Sequence, residues 1–156
     1  MTAFINNTLQ KQILRGEIFY WSGGNFKIEQ SATDGYLITT GASPCQVLFE
    51  VNSVGTIKLA VYENPTTASG SPAKTVYNMR RDSANTLLTT IQPLNSYTGG
   101  TDIVEAIAYN GIQPINSGFS RESGLILKAS EEYVYELTNW SEGSLSLSYN
   151  VFFREL

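Results

Sequence analysis

Apolar and polar residues alternate most regularly at the C-terminal end of the chain. Leu145, Leu147, Tyr149, Val151 and Phe153 point one way, and Ser144, Ser146, Ser148 and Asn150 the other. A period of two gives a strand with one dry face and one wet face. The same alternation sets Cys45, Val47, Phe49 and Val51 against Gln46, Leu48 and Glu50, and Ile57, Leu59 and Val61 against Lys58, Ala60 and Tyr62. These two segments flank the turn Asn52-Ser53-Val54-Gly55 and are predicted to form a central antiparallel pair.

Weaker patterns predict further strands. Glu17–Trp21 and Phe26–Gln30 lie either side of a turn at Ser22-Gly23-Gly24-Asn25. Tyr36–Thr40 follows a turn at Asp34-Gly35, and both ends of Ala73–Ile91 are rich in β-branched residues. Asp102–Tyr109 has mixed periodicity, and its β-branched content assigns it to a strand rather than a helix. Arg121–Lys128 leads into a strand and Tyr133–Thr138 is another. Three stretches rich in Gly, Pro, Ser and Asn read as loops: Asn64–Pro72, Gln92–Gly100 and Asn110–Gly118. About ten short strands with long excursions and no internal repeat indicate an all-β chain. The fold class is an antiparallel β-sandwich, and the excursions favour jelly-roll or Greek-key connections over a meander.

Residues 1–16 stand apart as an N-terminal arm, and residues 17–156 form a single sandwich domain. Phe4, Ile5 and Leu9 alternate irregularly with Asn6, Asn7, Thr8 and Gln10. They are too interrupted for a core strand and too apolar for a solvated tail. A short helix around Leu9–Leu14 fits, as does an extended arm, and Gly16 ends any helix. Strands of the same kind continue on both sides of Asn64–Pro72, so that segment is a surface loop and not a linker.

Composition narrows the function. With 156 residues, 42% of them hydrophobic, the chain can bury a core. No apolar run approaches the ~20 residues of a membrane-spanning helix, and the N-terminus lacks the order of a signal peptide. The glycosylation patterns Asn6-Asn7-Thr8 and Asn139-Trp140-Ser141 are therefore read as chance. A net charge of −4 argues against a general nucleic-acid binder. There is no histidine, which removes Ser-His and Cys-His dyads and His-ligated metal sites. Cys45 is the only cysteine, so an intrachain disulfide is impossible, and its setting in CQVLFEV marks it as a core residue.

The remaining candidate chemistry is sparse. Asp102 with Glu105, or Glu131 with Glu132, could be assembled as a glycosidase pair only if brought face to face; scattered surface carboxylates are the ordinary alternative. Asp82 with Asn85, or Asp34, lacks the regular spacing of a calcium loop. Trp21 and Trp140 could stack on sugar rings or pack in the sheets, and packing is favoured. The polar turn Asn78–Asn85 is the most distinctive stretch, because Arg80 and Arg81 sit side by side in it. They could grip a partner's carboxylate in bidentate fashion or pair within the chain with Asp82 or Glu122.

The order of phrases carries one resemblance. QVLFEVNSVGTIKLAVYENP is followed by TVYNMRRDSANTLLTTI, RESGLILKASEEYVYELTN and SLSLSYNVFFREL. The series resembles small virion structural proteins of tailed bacteriophages. In that group a strand ending in Tyr-Asn runs into an Arg- and Ser/Asn-rich turn, and an Arg/Lys-Glu-x-x-x-Ile-Leu-Lys strand start comes later. Tyr77, Asn78, Arg80, Ser83, Asn85, Arg121, Glu122, Ile126, Leu127 and Lys128 occupy the matching places, from about Gln46 to the C-terminus. The resemblance implies a non-enzymatic capsid decoration or cement protein without cofactors. Its partners would be the major capsid protein and its own copies, in a homotrimer. It would be made in the host cytoplasm and seated on the capsid surface, with no nucleic-acid or membrane partner. Partner-binding residues are expected at Phe4, Ile5 and Leu9 of the arm and at Arg80 and Arg81. A tail or fibre component and a carbohydrate-binding module are the alternatives.

Overall fold

The computed structural model describes residues 9–108, 111–114 and 124–156. Their strands build two antiparallel sheets. The first contains β1 (Phe19–Ile28), β3 (Cys45–Ser53), β6 (Tyr77–Asn78), β9 (Gly111–Pro114), β10 (Leu125–Leu127) and β12 (Leu145–Glu155). Its order is β10-β3-β12-β1-β6, with β9 sharing the outer edge of β3. The second contains β2 (Thr33–Thr39), β4 (Ile57–Glu63), β5 (Thr67–Gly70), β7 (Thr90–Thr98), β8 (Thr101–Ala108) and β11 (Glu132–Asn139), in the order β5-β7-β2-β11-β4-β8.

The pairing is nested. β1 pairs with β12, β2 with β11, β3 with β10 and β4 with β8, and successive pairs fall in opposite sheets. The first half of the chain thus lies against the second half as a folded ribbon. An insert carrying β5, β6 and β7 interrupts it between β4 and β8.

One core fills the space between the sheets. Along β3 and β12 the alternation in the sequence becomes burial: Cys45, Val47, Phe49 and Val51 face Leu145, Leu147, Tyr149, Val151 and Phe153 on the same dry side. Each large apolar side chain removed from water contributes roughly 1.5–3 kcal/mol. Aromatic rings occupy the centre. Phe49 stacks on Tyr135 at 5.3 Å and lies 5.7 Å from Tyr149, which meets Tyr36 edge-on at 5.2 Å. Trp21 closes the group against Tyr36 and Tyr149. The Tyr149 hydroxyl donates to the Asp34 carboxylate. Burial, reinforced by that negative charge, holds the phenol protonated well above its ordinary range.

Tyr135 is an exception to this satisfaction. Its hydroxyl is buried and has no hydrogen-bond partner among the described residues. An unpaired buried hydroxyl costs free energy that its removal returns. Tyr135→Phe is therefore expected to raise the thermal midpoint slightly; calorimetry showing a clear drop would mean the hydroxyl is satisfied.

Several sequence expectations are corrected here. β3 and β4 are not a pair: they lie in different sheets, and the turn between them passes from one sheet to the other. Both are apolar on the face that meets the opposite sheet, and alternation alone cannot distinguish side-by-side strands from facing ones. Ser22-Gly23-Gly24-Asn25 is not a turn but the middle of β1. Gly23 is required because the Trp21 ring lies over it: a Cβ there would sit 2.4 Å from the indole. At Gly24 a Cβ would meet the Leu147 carbonyl of β12 at 2.7 Å. Asp34-Gly35 likewise lies inside β2, and the reversal comes earlier, where Ala32 N donates to the Glu29 carbonyl and Ser31 takes a positive φ of 62°.

The loops are more ordered than their composition suggests. Asn64–Pro72 holds β5, Gln92–Gly100 is mostly β7, and Asn110–Gly118 contains β9. β7 pairs with β2 through Thr90–Pro93, then pairs with β5. This second half crosses the outer side of the second sheet. Tyr97 packs on Tyr62 at 5.4 Å and donates to Glu136, while Leu94 lies against Gly35. The cover explains why Leu37 and Val134, which point away from the core, are buried.

Candidate functional site

The turn containing Arg80 and Arg81 is the seat of a helix. Residues 9–14 are helical and end in a six-residue hydrogen-bonded reversal: Glu17 N donates to the Gln12 carbonyl and Gly16 N to the Ile13 carbonyl. Gly16 adopts a φ of 69°, the left-handed conformation that this type of helix stop requires. The last carbonyls of a helix have no partner within it. Here the turn supplies them. Arg80 NH1 donates to the Leu14 carbonyl at 2.5 Å, Asn85 Nδ2 to the Arg15 and Gly16 carbonyls at 3.1 Å, and Asn78 Nδ2 to the Gly16 carbonyl at 2.9 Å. Asn78 Oδ1 also accepts from Arg80 N, and Ser83 Oγ from Asn85 N, so the turn is itself braced.

Arg80 also forms an ion pair with Asp82, 2.8 Å from Nε to Oδ1, which favours the charged form of both groups. Its intrachain pairing with Asp82 is thus formed. Glu122 lies outside the described residues. Arg81 is placed differently: its guanidinium sits 4.8 Å over the Tyr77 ring, and Tyr77 in turn lies 6.3 Å from Tyr20. The sequence singled out Asn78 and Asn85 without showing that they hold the helix end, because the carbonyls they bond lie in a distant part of the chain.

Arg80→Ala is expected to leave the global unfolding midpoint unchanged, since an exposed ion pair contributes little. It should nevertheless speed proteolytic cleavage near residues 9–16, because the Leu14 carbonyl loses its donor. Equal cleavage rates would show that the asparagines alone hold the helix.

The helix is anchored at its C-terminal end, and of its side chains only Gln12 and Ile13 are half-buried. Leu9 is 49% exposed and Leu14 is 68% exposed. Phe4 and Ile5 lie outside the described residues. Beside the clamp, the outer side of the first sheet carries an apolar row. The register places Tyr77 next to Tyr20, Tyr20 next to Phe152 and Phe152 next to Leu48, across β6, β1, β12 and β3. Tyr77 is 44% exposed and the other three are partly exposed. Ile126, at 64%, extends the apolar character on β10 beyond Gln46.

The other candidates separate cleanly. Trp21 is in the core, whereas Trp140 is 52% exposed, with Lys58 Nζ 5.3 Å above its ring. Glu105 is ion-paired to Lys58, and Asp102 is opposite Tyr62. Glu131 precedes β11 and Glu132 opens it. Asp34 accepts from Tyr149 and from Gly35 N. Asn139 is buried, with both ends of its side chain bonded to the protein, so it offers no glycosylation acceptor. Among the described residues, no helix is long and apolar enough to cross a membrane.

Cys45 is fully buried, and burial pushes its thiol from 9.0 up to about 11. The folded protein therefore keeps the proton where the unfolded chain would release it. Stability from this group is intact below pH 9 and declines as pH rises toward 11. Cys45 is expected to resist thiol reagents until the protein unfolds, and reductant should not move the unfolding midpoint. Rapid labelling of native protein at pH 8 would contradict the core placement.

Neither a family model nor a curated protein sequence matches the chain. Solved structures to which it is similar include that of infectious bursal disease virus, Gx strain, at 11% identity and a TM-score of 0.24, covering 86% of this chain and 28% of that one. The infectious bursal disease virus VP2 subviral particle gives 11% identity and a TM-score of 0.24 over 88% of this chain and 38% of that one. The T=1 particles derived from infectious bursal virus give 9% and 0.20 over 88% and 40%. The chain thus spans 28–40% of the length of these structures' chains.

Proposed function

We propose that this chain is a non-enzymatic structural protein of a tailed-phage virion, a capsid decoration or cement protein that binds the outside of the head and bridges major capsid subunits. The observation that carries this reading is the clamped helix. The chain's most distinctive polar turn, with Arg80, Asn78 and Asn85, holds the end of a short helix whose Leu9 and Leu14 are exposed. Such an element has a use when another protein covers it. The nested strand pairing supports a jelly-roll reading of the sandwich, an architecture used by viral capsid and lectin domains. Architecture alone does not assign function; the phrases around Tyr77–Asn85 and Ile126–Lys128 add the resemblance to phage virion proteins.

The test is addition of purified protein to heads that lack it. Bound protein should sediment with the heads and raise the temperature at which they release DNA. Sedimentation without the heads at every concentration would overturn the reading.

One observation favours a second reading, a carbohydrate-binding module. Trp140 is an exposed indole flanked by the Lys58–Glu105 pair, an arrangement able to stack on a sugar and hydrogen-bond its hydroxyls. Trp21 is shielded in the core, so a fluorescence response to glycans would report on Trp140. Loss of that response in Trp140→Ala would establish the site.

A further inference from the structure

The two sheets end in edges of unequal kind. Among the described residues, the edge strands β5, β6, β9 and β10 run for four, two, four and three residues, and short strands give a partner little to pair with. β8 is eight residues long and, among the described residues, pairs with β4 alone. In an antiparallel pair alternate residues turn their N–H and C=O away from the partner strand. β8 thus presents a row of backbone donors and acceptors on its open side. Its one irregularity, a bulge opposite Val61 and Tyr62, lies near its start and leaves residues 104–108 in plain register with β4. We propose that β8 takes an extended strand of a different protein, one that carries cations between apolar residues, and so lengthens the second sheet by one strand. This inference does not rest on the virion reading.

The side chains of β8 specify the partner. Ile103 and Ile107 are exposed on it, where a guarded edge carries Lys or Pro. The strand bears the carboxylates of Asp102 and Glu105 and no cation. Lys58 reaches Glu105 from β4, and Asp102 forms no ion pair among the described residues. Like charges set opposite each other on neighbouring strands destabilise the pairing, and opposite charges stabilise it. A second copy of β8 laid on the first across a two-fold axis brings two more carboxylates to this edge and nothing to neutralise them. A strand with Lys or Arg brings what the edge lacks. In such an addition the main-chain bonds supply affinity and the side chains supply selectivity. Here the partner's apolar residues meet Ile103 and Ile107, and its cations meet Asp102 and Glu105.

The test uses the full chain and three eight-residue probes: a peptide alternating Val and Lys, its Val/Glu counterpart, and the Val/Lys peptide methylated at every backbone nitrogen. The Val/Lys peptide should bind and slow amide hydrogen exchange in Thr101–Ala108 at least tenfold, leaving exchange in β5 unchanged. The methylated peptide keeps the charge but cannot pair, so it should not protect β8. Glu105→Lys should reverse the preference, weakening the Val/Lys peptide at least tenfold and admitting the Val/Glu peptide. The Lys58–Glu105 pair is largely exposed, so this variant should keep its thermal midpoint; if it does not, Asp102→Lys changes the same edge. Absence of binding at millimolar Val/Lys peptide overturns the proposal. Equal binding of the methylated peptide also overturns it, by showing attraction to charge alone. So does protection of β8 that grows with protein concentration in the absence of peptide, which would make a second copy the occupant.

Discussion

Phe49→Ala is expected to lower the free energy of unfolding by about 3–5 kcal/mol, the largest loss from any single change considered. Phe49 is fully buried at the middle of β3 and touches Tyr36, Tyr135 and Tyr149. Tyr36 and Tyr135 come from the second sheet and Tyr149 from the first, so one ring joins both layers. Tyr149 and Tyr36 cannot collapse into the vacated space, because Tyr149 is tied to Asp34 and Trp21 packs on both. The loss is a large part of the 5–15 kcal/mol that holds a domain folded. Urea titration should show a lower midpoint at unchanged slope. A loss under about 1 kcal/mol would mean the aromatic cluster repacks and is not the core's keystone.

Asn139→Ala is expected to have the next largest effect. Asn139 ends β11 in the second sheet, and its Nδ2 donates to the Ile28 carbonyl of β1 in the first at 2.9 Å. The same nitrogen donates to the Gly143 carbonyl at 2.7 Å, while Oδ1 accepts from Ser141 N at 2.8 Å. Ser141 Oγ then accepts from Thr56 N. The end of the sandwich is knotted through this one amide. Each buried group left without its partner costs about 1–3 kcal/mol. Ser141→Ala, which removes only the two outer bonds to Thr56, should cost less. Equal stability of the two variants would show that solvent replaces the amide, contrary to its full burial.

How much of this was legible in the sequence depended on whether the deciding contact was local. The alternation in Cys45–Val51 and Leu145–Phe153 read directly as burial, because a strand's own period sets which side is dry. Gly16 also announced the helix stop. The two glycines at 23 and 24 misled because their cause is the Trp21 ring and the β12 backbone, neither visible in a local window. Gln92–Gly100 looked like a loop for a related reason: its polar residues face water on a strand that roofs the sheet. At the candidate site the arginines stood out by composition, but the carbonyls that Asn78 and Asn85 hold belong to the N-terminal segment. The Tyr77–Tyr20–Phe152–Leu48 row was unreadable, since it exists only through the register of four strands drawn from separate parts of the chain.

A protein that covers a shell, the role proposed above, is present in many copies, so copy number decides between the readings. Quantifying the chain against the major capsid protein in purified phage particles should give many copies per head, in a fixed simple ratio to capsid subunits. A handful of copies per particle would make it a tail or fibre component, and absence from the particle would contradict the account.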